Sequence, residues 1–204
     1  KNLILGGDFT LRGDATFTGN TASVSGGAIF NTGKFTVGGD ANFTGNTSSY
    51  NGGAIFNFST FTVGCDETLF SGNLATGKAN GIHQDGGTLN ITGNGTLDMR
   101  DPFSGQGSFN KSGRGVWKLG GDNTTTNLNI NEGSLYLYAK DEEENGNRLD
   151  ATARVTEGNI IVTNMTLGTA NNGATLFANG GNKLSGDTLT LYSGSTFGFK
   201  VGQN

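Results

Sequence analysis

Apolar residues in this chain fall in short alternating runs, and the runs recur in the same order at a nearly constant interval. Phe9-Thr10-Leu11 returns as Phe35-Thr36-Val37 and as Phe61-Thr62-Val63, 26 residues further on each time. Phe17-Thr18-Gly19-Asn20 returns as Phe43-Thr44-Gly45-Asn46 after 26 residues and as Phe70-Ser71-Gly72-Asn73 after 27. Gly26-Gly27-Ala28-Ile29-Phe30-Asn31 returns intact as Gly52-Gly53-Ala54-Ile55-Phe56-Asn57, and in decayed form as Asn80-Gly81-Ile82-His83-Gln84. Two-residue alternation predicts strands, and no stretch carries the 3.6-residue period of a helix. Each unit thus predicts three short strands parted by Gly/Asp or Asn/Thr/Ser turns.

Strands this short bury nothing alone, so the units must stack. Residue identity repeats here, not only alternation, which an antiparallel β-sandwich does not require. The prediction is an all-β, right-handed parallel β-helix with three short strands per coil and coils ~4.8 Å apart. Stacking aligns Phe9/Phe35/Phe61, Leu11/Val37/Val63, Phe17/Phe43/Phe70 and Ile29/Ile55/Ile82 as inward columns, with small residues at Ala15/Ala41 and Gly27/Gly53 where the section narrows. One continuous domain over 1–204 is expected: regular repeats over 1–87, looser strand repeats over 88–139, a charged loop at 140–148 and further coils over 149–204. At this period the chain makes about eight coils, a rod of ~40 Å. The only proline, Pro102, marks a loop or an offset coil.

Composition narrows the function classes. Of 204 residues 37 are Gly and 1 is Pro, which suits turns and strands and lacks the Pro content and strict Gly period of collagen. The net charge of −4 and the 14 Phe are unlike a disordered chain. One Cys, Cys65, and one His, His83, exclude an internal disulfide framework and any multi-His or multi-Cys metal site. An acidic pI of about 4.9 argues against nucleic acid as a partner. No apolar run is long enough for a membrane-spanning helix. Lys1 to Gly7 runs straight into a strand with no secretory leader, and the repeat-like beginning and end suggest a piece of a longer protein.

The pairing of Phe-x-x-Asn (Phe17–Asn20, Phe43–Asn46, Phe70–Asn73) with Gly-Gly-Ala-Ile (Gly26–Ile29, Gly52–Ile55) resembles the polymorphic outer membrane proteins of chlamydiae. The single cysteine departs from those Cys-richer members and suggests another bacterium as source. A second stretch, Gly113-Arg114-Gly115-Val116-Trp117-Lys118-Leu119-Gly120-Gly121-Asp122-Asn123-Thr124 followed by Ile130-Asn131-Glu132-Gly133-Ser134-Leu135, is similar to the strand repeat of autotransporter passenger domains. Both resemblances imply a β-helical passenger exported through a C-terminal outer-membrane barrel and displayed on, or released from, the cell surface. They imply an adhesin or stalk whose partner is a host or bacterial surface protein or glycan. The alternatives are a β-helix polysaccharide-processing enzyme, and a structural spacer that self-assembles as a homo-oligomer through its end coils.

Candidate sites are few. Arg12-Gly13-Asp14 spells an integrin-type tripeptide, although Gly38-Gly39-Asp40 and Gly64-Cys65-Asp66 make the Gly-Asp turn part of the repeat. The Asp14/Asp40/Asp66 column is expected to cap turn N–H groups, and Asn20/Asn46/Asn73 to form a hydrogen-bonded ladder. Phe30, Phe56 and His83 share a column whose parity points outward, a candidate surface for protein or sugar. Thr10/Thr36/Thr62 and Thr18/Thr44/Ser71 form outward hydroxyl columns too short for an ice-binding array. A triad built on His83 lacks a nucleophile elbow, and the acidic residues lie in repeated turns or the 141–144 loop. No catalytic residue, cofactor or metal ligand is therefore assigned.

Overall fold

A computed structural model describes residues 1–64, 66–138, 159–179 and 182–200. Every element it contains is a strand, and the strands form sheets of 12, 8 and 4 strands, parallel except for one antiparallel pair in the four-stranded sheet. The chain is a parallel β-helix. Its first repeats superpose as the sequence predicts: Phe9 pairs with Phe35 and Phe35 with Phe61, Phe17 with Phe43 and Phe43 with Phe70, Ile29 with Ile55 and Ile55 with Ile82.

These columns make the core. Phe35, Phe43, Phe61, Phe70, Ile29, Ile55 and Ile82 are fully buried. Phe43 stacks on Phe17 at 4.8 Å and on Phe70 at 4.6 Å between ring centroids, with planes 6° apart in both pairs. That spacing is the spacing between neighbouring strands, so one rotamer repeated each turn keeps every ring in contact. Burial of each ring contributes ~1.5–3 kcal/mol, and each ring pair adds ~0.5–1.5 kcal/mol. The corner is equally constrained. A Cβ on Gly27 would lie 2.0 Å from the Gly53 carbonyl oxygen of the next coil, and Gly26 turns at φ +69°.

The coil differs from the expected three strands in one respect. A wide coil has three faces but four strands, for example Ile29–Asn31, Lys34–Val37, Ala41–Thr44 and Thr47–Ser48. The first two belong to the 12-stranded sheet and fuse into one long strand, Ile82–Ile91, in the later coils.

The period also changes. One column of the long sheet reads Phe9, Phe35, Phe61, Leu89, Phe109, Leu128, Met165, Leu189. Its first three steps are 26, 26 and 28 residues, and the next two are only 20 and 19. A uniform 26-residue coil is therefore corrected. The cause lies at Lys78–Ala79, which turns back antiparallel on Leu74–Ala75 and closes the four-stranded sheet. Later coils have two faces, and the step carries the bulkiest core cluster: Phe103, Phe109 and Trp117, all fully buried and stacked on one another. Pro102 lies one coil beyond this step, its carbonyl accepting the Gly81 N–H, directly before the strand Phe103–Lys111. The predicted charged loop 140–148 lies outside the described residues.

Candidate functional site

The outward face of the long sheet carries the aromatic column. Phe30 pairs with Phe56, Phe56 with His83, and His83 with Ser104. The Phe30–Phe56 and Phe56–His83 rings stack at 5.3 Å each with planes 15° apart. The column is aligned but not bare, which corrects the exposure read from parity. Phe58 packs edge-on against Phe56 at 4.8 Å and against Phe30 at 5.7 Å. Phe56 is thereby buried at 5% exposure, Phe30 and His83 are half-buried, and Phe58 itself remains 43% exposed. Phe58 gave no signal in the sequence because only one repeat carries it. Exposed Ile4 continues the column at its outer end, paired with Phe30.

The polar end of the column is His83. Its Nδ1 shares a 2.8 Å hydrogen bond with Ser104 Oγ, which also accepts a 2.8 Å bond from Asn80 Nδ2. Burial holds the imidazole below its ordinary pKa, partly offset by the Asp85 carboxylate two residues along. The structure thus brings a Ser–His pair together, on open strand surface. No carboxylate hydrogen-bonds to His83 among the described residues, so the group that would orient a base is missing.

Arg12, Gly13 and Asp14 are all exposed in the turn between strands Phe9–Leu11 and Ala15–Thr18. Asp14 Oδ1 accepts the Asp40 backbone N–H at 3.0 Å, and Asp40 Oδ1 accepts that of Glu67 at 2.8 Å. The column of turn carboxylates caps the N–H groups of the next coil.

Asparagine ladders run through the wide coils. Asn46 Oδ1 accepts both the backbone N–H and the Nδ2 of Asn20, at 2.9 and 3.1 Å. Asn73 Oδ1 does the same for Asn46, at 3.0 and 2.8 Å. The ladder ends on a residue that sequence comparison missed, Asp101. It takes the Asn73 backbone N–H and Nδ2 on Oδ2 and the Gly72 N–H on Oδ1. Burial raises the Asp101 pKa above the ordinary carboxylate value, against the pull of those hydrogen bonds and of Arg100. A second buried ladder, Asn31 to Asn57 to Gln84, also escaped notice. Its signal was available, since Asn31 and Asn57 lie two residues from inward Ile29 and Ile55 and so share their face.

A groove on the outside of the eight-stranded sheet was not foreseen at all. Asn42, Leu69, Asp98 and Lys118 are register partners in successive coils. Glu67 and Thr96 flank this row on one side and Arg100 on the other, and together they enclose about 290 Å³. Asp98 is held from both sides, by Arg100 Nε at 3.1 Å and by the buried Tyr138 hydroxyl at 2.9 Å.

The comparisons with known proteins agree with the periodic half of this architecture. Residues 14–32 and 40–57 match the Chlamydia polymorphic membrane protein repeat, one coil apart. No curated protein and no solved structure matches the chain. The family points to the outer membrane or cell surface as the setting of such repeats. The two stretches hold the Phe-x-x-Asn ladder, the Gly-Gly-Ala-Ile corner and the stacked phenylalanines, and so the chain carries the polymorphic membrane protein repeat.

Proposed function

We propose that this chain is part of a surface-displayed passenger, a rigid stalk without enzymatic activity that binds a protein or glycan on a host or bacterial surface. The observation that carries the reading is the stacked aromatic column Phe30, Phe56, His83 with Phe58 laid across it. Rings held in register by a stiff scaffold lose little entropy on binding, and an outward aromatic stripe on an otherwise polar stack suits contact with another surface. Export and surface location follow from the family resemblance. Arg12-Gly13-Asp14 is a secondary contact at most, since its carboxylate is engaged by the turn of the next coil.

The test is adhesion of purified chain to host cells and to bacterial cells. Phe58→Ala combined with Phe30→Ala should lower cell binding at least tenfold while leaving the circular dichroism spectrum unchanged. Unaltered binding by the folded double variant would remove the aromatic column from the mechanism. A separate Asp14→Ala variant reports on the tripeptide.

A further inference from the structure

The groove outside the eight-stranded sheet brings an apolar side chain, both signs of charge and neutral polar groups together. Its row crosses four coils, so strand alternation aims Asn42, Leu69, Asp98 and Lys118 outward side by side. Leu69 lies between Asn42 and Asp98 and gives the groove its apolar side chain. Glu67 and Thr96 supply a carboxylate and a hydroxyl on one flank, and Asn42 supplies a carboxamide at one end. Arg100 and Asp98 neutralise one another at 3.1 Å. Lys118, at the other end, has no carboxylate within ion-pair distance among the described residues, and its ammonium can face a ligand.

These groups define what fits. The apolar side chain takes the C–H face of a ring, the ring of amide, hydroxyl and carboxylate acceptors and donors takes hydroxyl groups, and the lysine takes one negative charge. A polyanion is disfavoured by the Glu67 carboxylate, and a neutral sugar leaves Lys118 unused. The volume of about 290 Å³ is at the lower end of small-molecule sites, which span ~300–1,000 Å³. We propose that this groove binds a single acidic sugar, a hexuronate-type ring presented free or at the end of a glycan. The site is on a different face from the aromatic column. Its use in surface contact rests on the passenger reading, whereas its binding chemistry does not.

The experiment titrates the chain with sodium glucuronate, with glucose, and with a disaccharide ending in glucuronate, followed by NMR or calorimetry. Glucuronate is expected to bind at least tenfold more tightly than glucose. Leu69→Trp, which fills the groove, should abolish binding of both. Lys118→Gln should bring glucuronate down to the level of glucose without changing glucose, and Lys118→Arg should restore the preference. Binding of the disaccharide identifies a glycan end as the source, and binding of the monosaccharide alone identifies a free sugar acid. Absence of saturable glucuronate binding, equal affinity for glucose, or full binding by Leu69→Trp overturns the proposal. Because Phe58→Ala leaves this groove intact, lost cell adhesion with retained glucuronate binding separates the two readings.

Discussion

The wide coils before residue 82 and the narrow coils after it solve the same stacking problem with their main asparagine ladders on opposite sides of the wall. In the wide coils asparagines point inward: Asn46, Asn73, Asn31 and Asn57 are fully buried, with Asn46, Asn73 and Asn57 bonded to the coils on both sides and Asn31 to Asn57 of the next coil. In the narrow coils the ladders stand on the outer face. Asn110 Nδ2 donates to Asn90 Oδ1 at 3.1 Å, and Asn129 Nδ2 to Asn110 Oδ1 at 2.8 Å, with all three side chains half-buried. Their interior is filled mainly by Phe103, Phe109, Trp117, Leu119 and Leu135, with Gln84 and Asn123 as buried amides, the latter accepting the Phe103 N–H and donating to the Gly120 and Gly121 carbonyls. Three faces meet at three tight corners, and the backbone groups there need partners that neighbouring strands cannot supply. Removing one face removes a corner, and among the described residues the fully buried amides after residue 82 are Gln84 and Asn123.

The largest effect expected from this contrast is on stability. Asn73→Ala removes the acceptor of the Asn46 N–H, one of two acceptors of the Asn46 amide, a donor to the Phe43 carbonyl and one of three donors to the buried Asp101 carboxylate in one step. The loss should be ~3–5 kcal/mol, the range for breaking a buried charged hydrogen-bond network. Asn110→Ala, on the outer ladder, should cost no more than ~1 kcal/mol. Urea denaturation of the two variants measures the difference, and equal losses would erase the distinction between inner and outer ladders.

How far the sequence reveals this molecule depends on the same division. Where the same residue returns at the same interval, as with Phe17, Phe43 and Phe70, the register can be read directly and the structure agrees. Where coil length changes, the partners become unlike residues: Val63 is followed by Ile91 and then by Lys111. No spacing rule links them, so the buried Lys111, the terminal Asp101 and the groove row Leu69–Asp98–Lys118 were invisible. The end of the third face was equally hidden, because it rests on one hairpin at Thr76-Gly77, where Thr76 takes φ +50°. Of the aromatic column, the alignment was legible from repetition and the covering by Phe58 was not.

Lys111 sharpens the comparison, since it occupies an inward position in a narrow coil that the wide coils fill with Leu11, Val37 and Val63. It is 1% exposed, and its ammonium donates to the Gly113 carbonyl oxygen in the turn. Burial lowers its pKa from 10.5 to about 8, against the attraction of Glu132. The folded chain therefore releases this proton before the unfolded chain does. Stability should rise as pH increases from about 8 towards 10.5, by ~1–3 kcal/mol, and stay flat in that window for Lys111→Met. Parallel pH profiles for the two proteins would show that the lysine is not buried as a cation.

The smallest predicted effect concerns the boundary itself. Asp101 accepts three donors on two oxygens and passes nothing on, which an asparagine in its place could not match. A carboxylate fits a ladder that ends, because it needs no acceptor beyond it. The cost is a buried negative charge, visible as a raised pKa. A group with its folded pKa raised binds protons more readily in the folded state, so its stabilising effect is present at low pH and fades as pH climbs through the shifted value. Across that window the wild-type chain should lose stability relative to Asp101→Asn, while Asp101→Asn loses the Gly72 N–H bond at every pH. Denaturation midpoints of the two proteins from pH 4 to pH 7 measure the slope. A wild-type slope of the opposite sign would mean that the three hydrogen bonds outweigh burial, and that the ladder ends on a stabilised anion rather than a strained one.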